Sequence, residues 1–267
     1  MSKTNCKDAK LKYNAPSEKG GKQLENLKLW EDLKNWKKNC DFVELSHEFS
    51  PDTPHWSGFP AMNAEMIFDY PDVFRVHIVQ VATQYGTHVD APAHFVPGKR
   101  MLNELRADEM VLPLCVIDLS AKSAENCDYI FTAEDLHQWE AIHGEIPSGS
   151  FVAVRTDWSK RADLDNMDEK GMKHYPGWGL DALKFLVEQR NVTAIGHETS
   201  DTDAPVSSAK IGYVGEYYIL EQERYQIELL KNLDKVPATG AVIICGFPRG
   251  VNLTGFTARC IAVCPKD

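Results

Sequence analysis

The sequence predicts a mixed α/β fold. Apolar, β-branched runs that indicate strands are interspersed with segments of helical periodicity, and the strands outnumber the helices. No internal repeat or low-complexity linker divides residues 41–267, so we expect one domain there, preceded by an N-terminal extension over residues 1–40. The 267 residues are 43% apolar and 25% charged, as in ordinary globular proteins, which excludes a disordered chain and a fibre.

Hydrophobic spacing predicts the individual elements in chain order. Residues 1–20 are polar and are expected to be disordered, whereas the apolar spacing of residues 23–37 predicts an amphipathic helix. Three prolines and a glycine predict a loop over 50–60. Apolar runs predict strands at 42–46, 75–82, 111–119, 151–155, 192–195, 241–246 and 258–263. Helical periodicity predicts further helices at 133–142, 180–189 and 227–233.

Charge and cysteine content exclude several classes of protein. The net charge of the chain is −10. Residues 1–40 carry ten lysines and five acids, a local charge of +5, so residues 41–267 carry −15. A chain this acidic is not expected to bind nucleic acid. The chain has neither an apolar run of the roughly 20 residues that a membrane span needs nor a secretory leader, so we expect a cytoplasmic protein with no membrane contact. Seven cysteines without a CxxC pair predict reduced thiols rather than a disulfide framework or a structural zinc finger.

Residues 84–95, QYGTHVDAPAHF, carry the most informative pattern. They follow a predicted strand, and alternate side chains of an extended chain share a face, which groups Gln84, His88 and Asp90. A proline then bends the path, so that His94 can approach the same point. Imidazole and carboxylate are the usual ligands of Zn²⁺ and Mn²⁺, and HxDxPxH arises by chance in about one such sequence in a thousand. The alternative is a structural His88–Asp90 pair with an incidental His94.

The motif GTHxDAPxH resembles the signature of the metal-dependent cyclase-like hydrolases, which include bacterial kynurenine formamidase and isatin hydrolase. The resemblance extends over residues 42–264 and also rests on the segments ELS (44–46), RTDW (155–158), PG (176–177), AIG (194–196) and IELL (227–230). It implies a swivelling β/β/α domain with a mixed sheet or barrel-like core and flanking helices. It also implies a homodimer with its pockets near the interface.

Carried over to this sequence, the resemblance makes His88 and Asp90 metal ligands and Glu228 a late carboxylate ligand of a second site. His94 matches a second-metal ligand in dinuclear members and the catalytic base in the isatin-hydrolase type. The family often has histidine where this chain has Gln84, whose oxygen is a harder ligand and favours Mn²⁺ over Zn²⁺. The late histidine of dinuclear members has no counterpart in the aligned segment EYY, so we expect one firmly held ion.

Five further residues are candidates for the site. His197 lies at a position that is often not histidine in the family. It is expected to have a role in the reaction, as a proton shuttle or a substrate ligand, or else to be a structural histidine at a strand end. Aromatic side chains near the motif segments are expected either to wall a substrate pocket or to belong to the core. These are Trp56, Phe59, Trp158 and Trp178.

These features together predict a hydrolase in which a divalent ion activates water and His94 transfers the proton. The expected substrate is an aromatic amide, either an isatin-like cyclic amide or an N-formyl arylamine such as N-formylkynurenine. Two alternatives stay open: an arylformamidase of tryptophan catabolism with two metals, and a non-catalytic metal-dependent protein that binds aromatic ligands. The absence of GxSxG and of GxGxxG argues against a serine hydrolase and a nucleotide enzyme.

Overall fold

A nine-stranded mixed sheet, curled into a half-barrel, forms the centre of the molecule, and helices flank it. The computed structural model describes residues 27–266. Its architecture confirms the expected mixed α/β fold with a barrel-like core.

α-Helices separate most of the strands between β5 and β10, whereas β1 to β5 and β10 to β13 follow one another without an intervening α-helix. The strands are β1 (Cys40–Glu44), β2 (Asn63–Phe68), β3 (Val76–Gln80), β4 (His88–Asp90), β5 (Val111–Asp118), β6 (Ile130–Phe131), β7 (Phe151–Arg155), β8 (Gly177–Trp178), β9 (Ala194–His197), β10 (Tyr225–Glu228), β11 (Ala241–Gly246), β12 (Gly255–Thr257) and β13 (Arg259–Pro265). The α-helices are α1 (Lys28–Asn39), α2 (Ser120–Glu125), α3 (Ala133–His143), α4 (Leu180–Lys184), α5 (Pro205–Ile211) and α6 (Val214–Glu221). A π-helical turn, Phe185–Gln189, extends α4.

The central strands explain why the sequence contains long apolar runs. The sheet order is β1-β13-β11-β5-β7-β9-β10-β4-β12, and the inner strands β5, β7, β9 and β10 pair in parallel. In β5, Leu114 and Val116 belong to one apolar cluster, while Cys115 and Ile117 belong to the other. Both faces of this strand are therefore covered, which removes the polar alternation that a half-exposed strand would show.

The helix predicted over 227–233 is wrong. The segment forms the end of strand β10, and a 3₁₀ turn follows at Leu233–Lys235. Ile227, Leu230 and Leu233 are all buried, so their apolar character reflects burial from every side rather than the inner face of a helix. A short apolar run does not distinguish a buried strand from a helix. The correction bears on function, because Glu228 lies on this strand.

Helix α1 leads directly into the edge strand β1. Its described part begins at Lys28, and none of its residues is buried: Leu29 and Trp30 are 79% and 66% exposed. The disorder predicted for residues 1–20 and the first residues of the predicted helix, 23–26, lie outside the described residues. No helix within residues 27–266 combines the length and apolar character that crossing a membrane requires.

Strands β2 and β3 form a separate two-stranded hairpin. The sequence predicts β3 but not β2. Every residue of both strands is exposed, although many of them are apolar. An isolated hairpin is marginally stable in water, so the exposed apolar surface of this one requires an explanation.

Candidate metal centre

Three neighbouring strands bring the principal ionisable side chains together. Strand β4 lies between β10 and β12, with His88 directly opposite Glu228 and Asp90 opposite Gln226. Since alternate residues of a strand share a face, these four side chains point to the same side of the sheet. Only glycine fits opposite Asp90 on β12, because a Cβ at Gly255 would lie 2.5 Å from the backbone oxygen of Val89.

His88, Asp90 and Glu228 form the first candidate group of metal ligands. All three are buried, and their ligand atoms lie within 4.8 Å of one another. His88 Nε2 is 3.4 Å from Asp90 Oδ2 and 3.5 Å from Glu228 Oε2. The Nδ1 atom of His88 lies 2.8 Å from the Gly86 carbonyl oxygen, to which it can donate its hydrogen. A backbone carbonyl in this position leaves Nε2 free to coordinate a cation, as in most metal-binding histidines.

A second candidate group shares Asp90 with the first. It consists of Asp90, His94 and Glu216, whose ligand atoms also lie within 4.8 Å of one another. His94 ends the 3₁₀ turn that follows β4, and its Nε2 atom is 3.7 Å from Asp90 Oδ1. Glu216 is a buried residue of helix α6 and approaches from the other side of the site. The turn after β4 therefore does bring His94 to Asp90, as the sequence predicts.

Gln226 holds the three carboxylates of the two groups together. Its amide nitrogen Nε2 shares its two hydrogens among three acceptors, Asp90 Oδ2 at 3.2 Å, Glu216 Oε1 at 3.1 Å and Glu228 Oε1 at 3.0 Å. The other oxygens Asp90 Oδ1 and Glu216 Oε2 are buried and find no hydrogen-bond partner among residues 27–266. Buried carboxylate oxygens normally have a partner, so these two fit a site that holds a cation.

The titration of these groups reflects the crowding of negative charge. Burial alone would lower the pKa of His88, but the Asp90 and Glu228 carboxylates raise it to about 9. Burial would raise the pKa of Asp90, but the neighbouring imidazoles of His94 and His88 lower it to about 2. Burial and the other carboxylates raise the pKa values of Glu216 and Glu228 well above the usual range. Positive charge is thus strongly favoured at the point where these side chains meet.

Gln84 and His197 lie at the edges of this cluster. Gln84 contacts His94 Nδ1 through Nε2 at 3.2 Å, while its oxygen accepts a hydrogen bond from Thr83. His197 is buried behind Glu228, with its Nε2 3.4 Å from Glu228 Oε1, and it does not line the cavity described below. Burial lowers the pKa of His197 to about 4. Its Nδ1 accepts a hydrogen bond from Trp178 Nε1 at 3.3 Å, so the neutral ring carries its proton on Nε2.

A cavity of about 240 Å³ opens onto both ligand groups. Its aromatic wall consists of Trp56, Phe59, Phe95 and Tyr213. Trp56 and Phe59 were expected there, and they pack edge-on with their ring centroids 5.0 Å apart. Trp158 and Trp178 are only 2% exposed and lie outside this wall. The aromatic side of the cavity is thus formed by two of the four predicted residues and by two others.

Sequence reasoning missed four members of the site: Phe95, Tyr213, Glu216 and Gln226. The signal for Glu216 was present, because it falls in the segment EYY where dinuclear relatives carry their late histidine. A carboxylate can ligate a divalent ion just as an imidazole can. Gln226 had no comparable signal, since its role depends on three acids that are distant from one another along the chain.

Comparison with known proteins identifies the family. A sequence profile described as "Putative cyclase" matches residues 43–204. The isatin hydrolase of Roseibium aggregatum is 31% identical over an alignment of 240 residues that covers 85% of this chain and 88% of that protein. Isatin hydrolase A from Labrenzia aggregata, solved with benzyl benzoate bound, is 34% identical with a TM-score of 0.83, and the match covers 89% of this chain and 100% of that one.

A second solved structure supports the same assignment. It is an isatin hydrolase bound to the product analogue thioisatinate, with 30% identity and a TM-score of 0.82. The match covers 89% of this chain and 97% of that one. With its HxDxPxH segment on β4 and the following turn, and its ligand groups formed by that segment together with β10 and α6, this chain belongs to the cyclase family of metal-dependent hydrolases.

Proposed function

We propose that this protein is a metal-dependent hydrolase that opens the ring of an isatin-like cyclic aromatic amide. The proposal rests on one arrangement: His88, Asp90 and Glu228 line the same small cavity as four aromatic side chains. Metal ligands beside an apolar wall suit a flat aromatic amide whose carbonyl faces the cation. The similarity to isatin hydrolases, one of them solved with thioisatinate, supports ring opening over cleavage of an open-chain amide.

Hydrolysis adds water to the amide carbonyl carbon, breaks the C–N bond and leaves a carboxylate and an amine on one aromatic product. A bound divalent cation would supply a water of lowered pKa and would polarise the carbonyl. His94 is placed to move the proton, because it lines the cavity and is 29% exposed. It accepts the proton of the attacking water and delivers it to the leaving nitrogen. Trp56 and Phe59 hold the aromatic ring while this occurs.

One ion held by His88, Asp90 and Glu228 is the simplest metal content. Two carboxylates and one imidazole form a set rich in hard oxygen ligands, which favours Mn²⁺ over Zn²⁺. The group Asp90, His94 and Glu216, which shares Asp90 with the first group, gives a specific reason to consider that these residues would hold a second ion. In that case His94 would be a ligand, and the reaction would resemble that of the two-metal arylformamidases.

The purified protein is therefore expected to hydrolyse isatin, and to do so faster than it hydrolyses formyl-anilides or N-formylkynurenine. Exhaustive chelation should abolish turnover, and Mn²⁺ or Zn²⁺ should restore it. Ring opening is followed by the loss of isatin absorbance, and metal content by elemental analysis of the same sample.

Three other results would contradict the proposal or favour one of the alternative functions. Turnover that survives complete removal of metal would contradict the proposal. Faster hydrolysis of N-formylkynurenine than of isatin would indicate the arylformamidase alternative. Tight binding of isatin in calorimetry with no product over hours would indicate the non-catalytic binding protein.

We also propose that the chain forms a homodimer through the hairpin β2–β3. Ile67, Phe74 and Ile78 are 41%, 52% and 56% exposed, and neither strand pairs with the central sheet. Phe68, 46% exposed, packs against Phe74 with the ring centroids 5.4 Å apart, and exposed apolar surface of this kind marks an interaction site. A second copy of the chain is the occupant that the family resemblance implies.

Ile78→Lys tests the dimer without disrupting the hairpin. Ile78 lies opposite Glu65, so a lysine there can form a cross-strand ion pair while it removes the apolar contact. We expect the dimer dissociation constant to rise about tenfold or more. Light scattering after gel filtration measures the mass.

Val251→Lys, at a 71% exposed residue of the loop between β11 and β12, is the matched control and should leave the mass unchanged. A wild-type monomer, or equal masses for both variants, would contradict the proposal.

A further inference from the structure

We propose that Cys127, Asp128 and His174 form a second metal site, separate from the candidate centre, for a borderline-soft divalent ion such as Zn²⁺. Their sulfur, carboxylate oxygen and imidazole nitrogen lie within 4.8 Å of one another. Cys127 and Asp128 precede strand β6, and His174 precedes strand β8. Because β6 and β8 pair in parallel, with Ile130 opposite Gly177, the three ligands are brought to the same end of the pair.

The imidazole of His174 lies between two carboxylates, those of Asp128 and Asp168. Its Nδ1 lies 2.9 Å and 3.0 Å from the two carboxylate oxygens of Asp128. Its Nε2 faces Asp168 Oδ2 at 3.6 Å. Metal-binding histidines commonly present one nitrogen to the ion and donate the other N–H to a carboxylate. Asp168 is suited to the second role.

Asp168 itself is held in place by its own loop. Its Oδ1 accepts hydrogen bonds from the backbone N–H groups of Lys170 and Met172, both at 2.8 Å, which leaves Oδ2 to face the histidine. The backbone of His174 is fixed as well, because its N–H donates to the Asp165 carbonyl at 3.1 Å. The carboxylate of Asp168 and the backbone of His174 are thus both positioned before any ion binds.

The ligand types indicate which ion the site would take. A thiolate, an imidazole and a carboxylate supply three of the four positions of a tetrahedral Zn²⁺ site, and water can supply the fourth. Neither ligand group of the candidate centre contains sulfur. The two sites therefore differ in chemistry, and a probe that detects a metal–sulfur bond reports on this second site alone.

An ion at this position would tie the loop of residues 161–176 to the chain before β6. This loop reaches the cavity region in two places. Tyr175 donates a hydrogen bond to Asp201, which lines the 240 Å³ cavity. Leu164 lines a neighbouring cavity together with His55 and Ser200. The second site would thus anchor a loop that contacts the cavity lining through Asp201, without contributing a ligand to the candidate centre.

Cobalt substitution tests the site directly. We expect the full chain, loaded with Co²⁺, to show a near-ultraviolet thiolate-to-cobalt charge-transfer band that saturates at one ion per chain. Cys127→Ser should abolish the band and lower the bound metal by one ion per chain, while His174→Gln should weaken it. Cys40→Ser is the matched control, because Cys40 is also a half-buried free thiol, and it should keep the band.

A further variant separates this site from the proposed activity. His88→Ala is expected to keep the band, since His88 belongs only to the candidate centre. The absence of the band in the wild-type chain would overturn the proposal, and so would a Cys127→Ser variant with an unchanged band and metal content. Neither result depends on whether the chain hydrolyses isatin.

Discussion

Replacing His88 by alanine is expected to remove the metal of the candidate centre and, with it, hydrolysis. His88 supplies the only imidazole of the group that it forms with Asp90 and Glu228. Without it, two buried carboxylates face each other with less positive charge to balance them. Loss of the Lewis acid costs about 4 kcal/mol of transition-state stabilisation, so kcat/KM should fall about 10³-fold or more.

Metal content by elemental analysis and turnover of isatin are measured on the same preparation. His143→Ala, at an exposed residue of α3, is the control and should retain both properties. Because the cluster is buried, His88→Ala could lose part of its fold. Asp90→Asn keeps the shape of the side chain and the same effect is expected from it, so circular dichroism of both variants distinguishes loss of metal from unfolding. A folded His88→Ala variant with full metal content and wild-type turnover would contradict the assignment.

Replacing His94 by alanine is expected to reduce turnover while leaving metal on the protein. His94 belongs only to the second ligand group, so His88, Asp90 and Glu228 still provide a complete set. Loss of a positioned general base lowers kcat by about 10² to 10⁴-fold. The effect should lie in kcat more than in KM, because the aromatic wall that binds the ring is unchanged.

Adding imidazole to the His94→Ala variant distinguishes a role of His94 in proton transfer from a role as a metal ligand. The His94→Ala variant leaves space on the cavity wall, where a free imidazole can accept the proton, so turnover should recover in part and in proportion to imidazole concentration. A loss of metal equal to that of His88→Ala, with no rescue, would instead make His94 an essential ligand. That result would favour the two-metal arrangement with Glu216.

Much of the fold could be predicted from the sequence, and the errors have physical causes. The bounds of β7 and β11 are those predicted, because buried β-branched runs between turn residues have few other solutions. The helix predicted over 227–233 is wrong and overlaps the end of strand β10, because a strand buried on all sides shows no alternation of polar and apolar residues. The sequence does not predict strand β2, since its six residues, NAEMIF, include only one β-branched residue, whereas β3 has three.

The aromatic residues show the same limit at the site. Trp56, on the loop before β2, does line the cavity, whereas Trp178 is buried on β8 and donates to His197. Nothing in the local sequence distinguishes these two tryptophans, because the direction of each side chain depends on packing between distant segments. His197 likewise proves to be a neighbour of Glu228 rather than part of the cavity wall.

His88 and Asp90 are two residues apart on one strand, so their common face follows from local backbone geometry and can be read from their spacing. The residues that complete the centre depend instead on contacts between distant parts of the chain. Glu228, Gln226 and Glu216 come from a strand and a helix more than 120 residues away, and their convergence depends on the register of β10 against β4 and on the packing of α6. Strand register and helix packing arise from the burial of the whole core, which local spacing does not record.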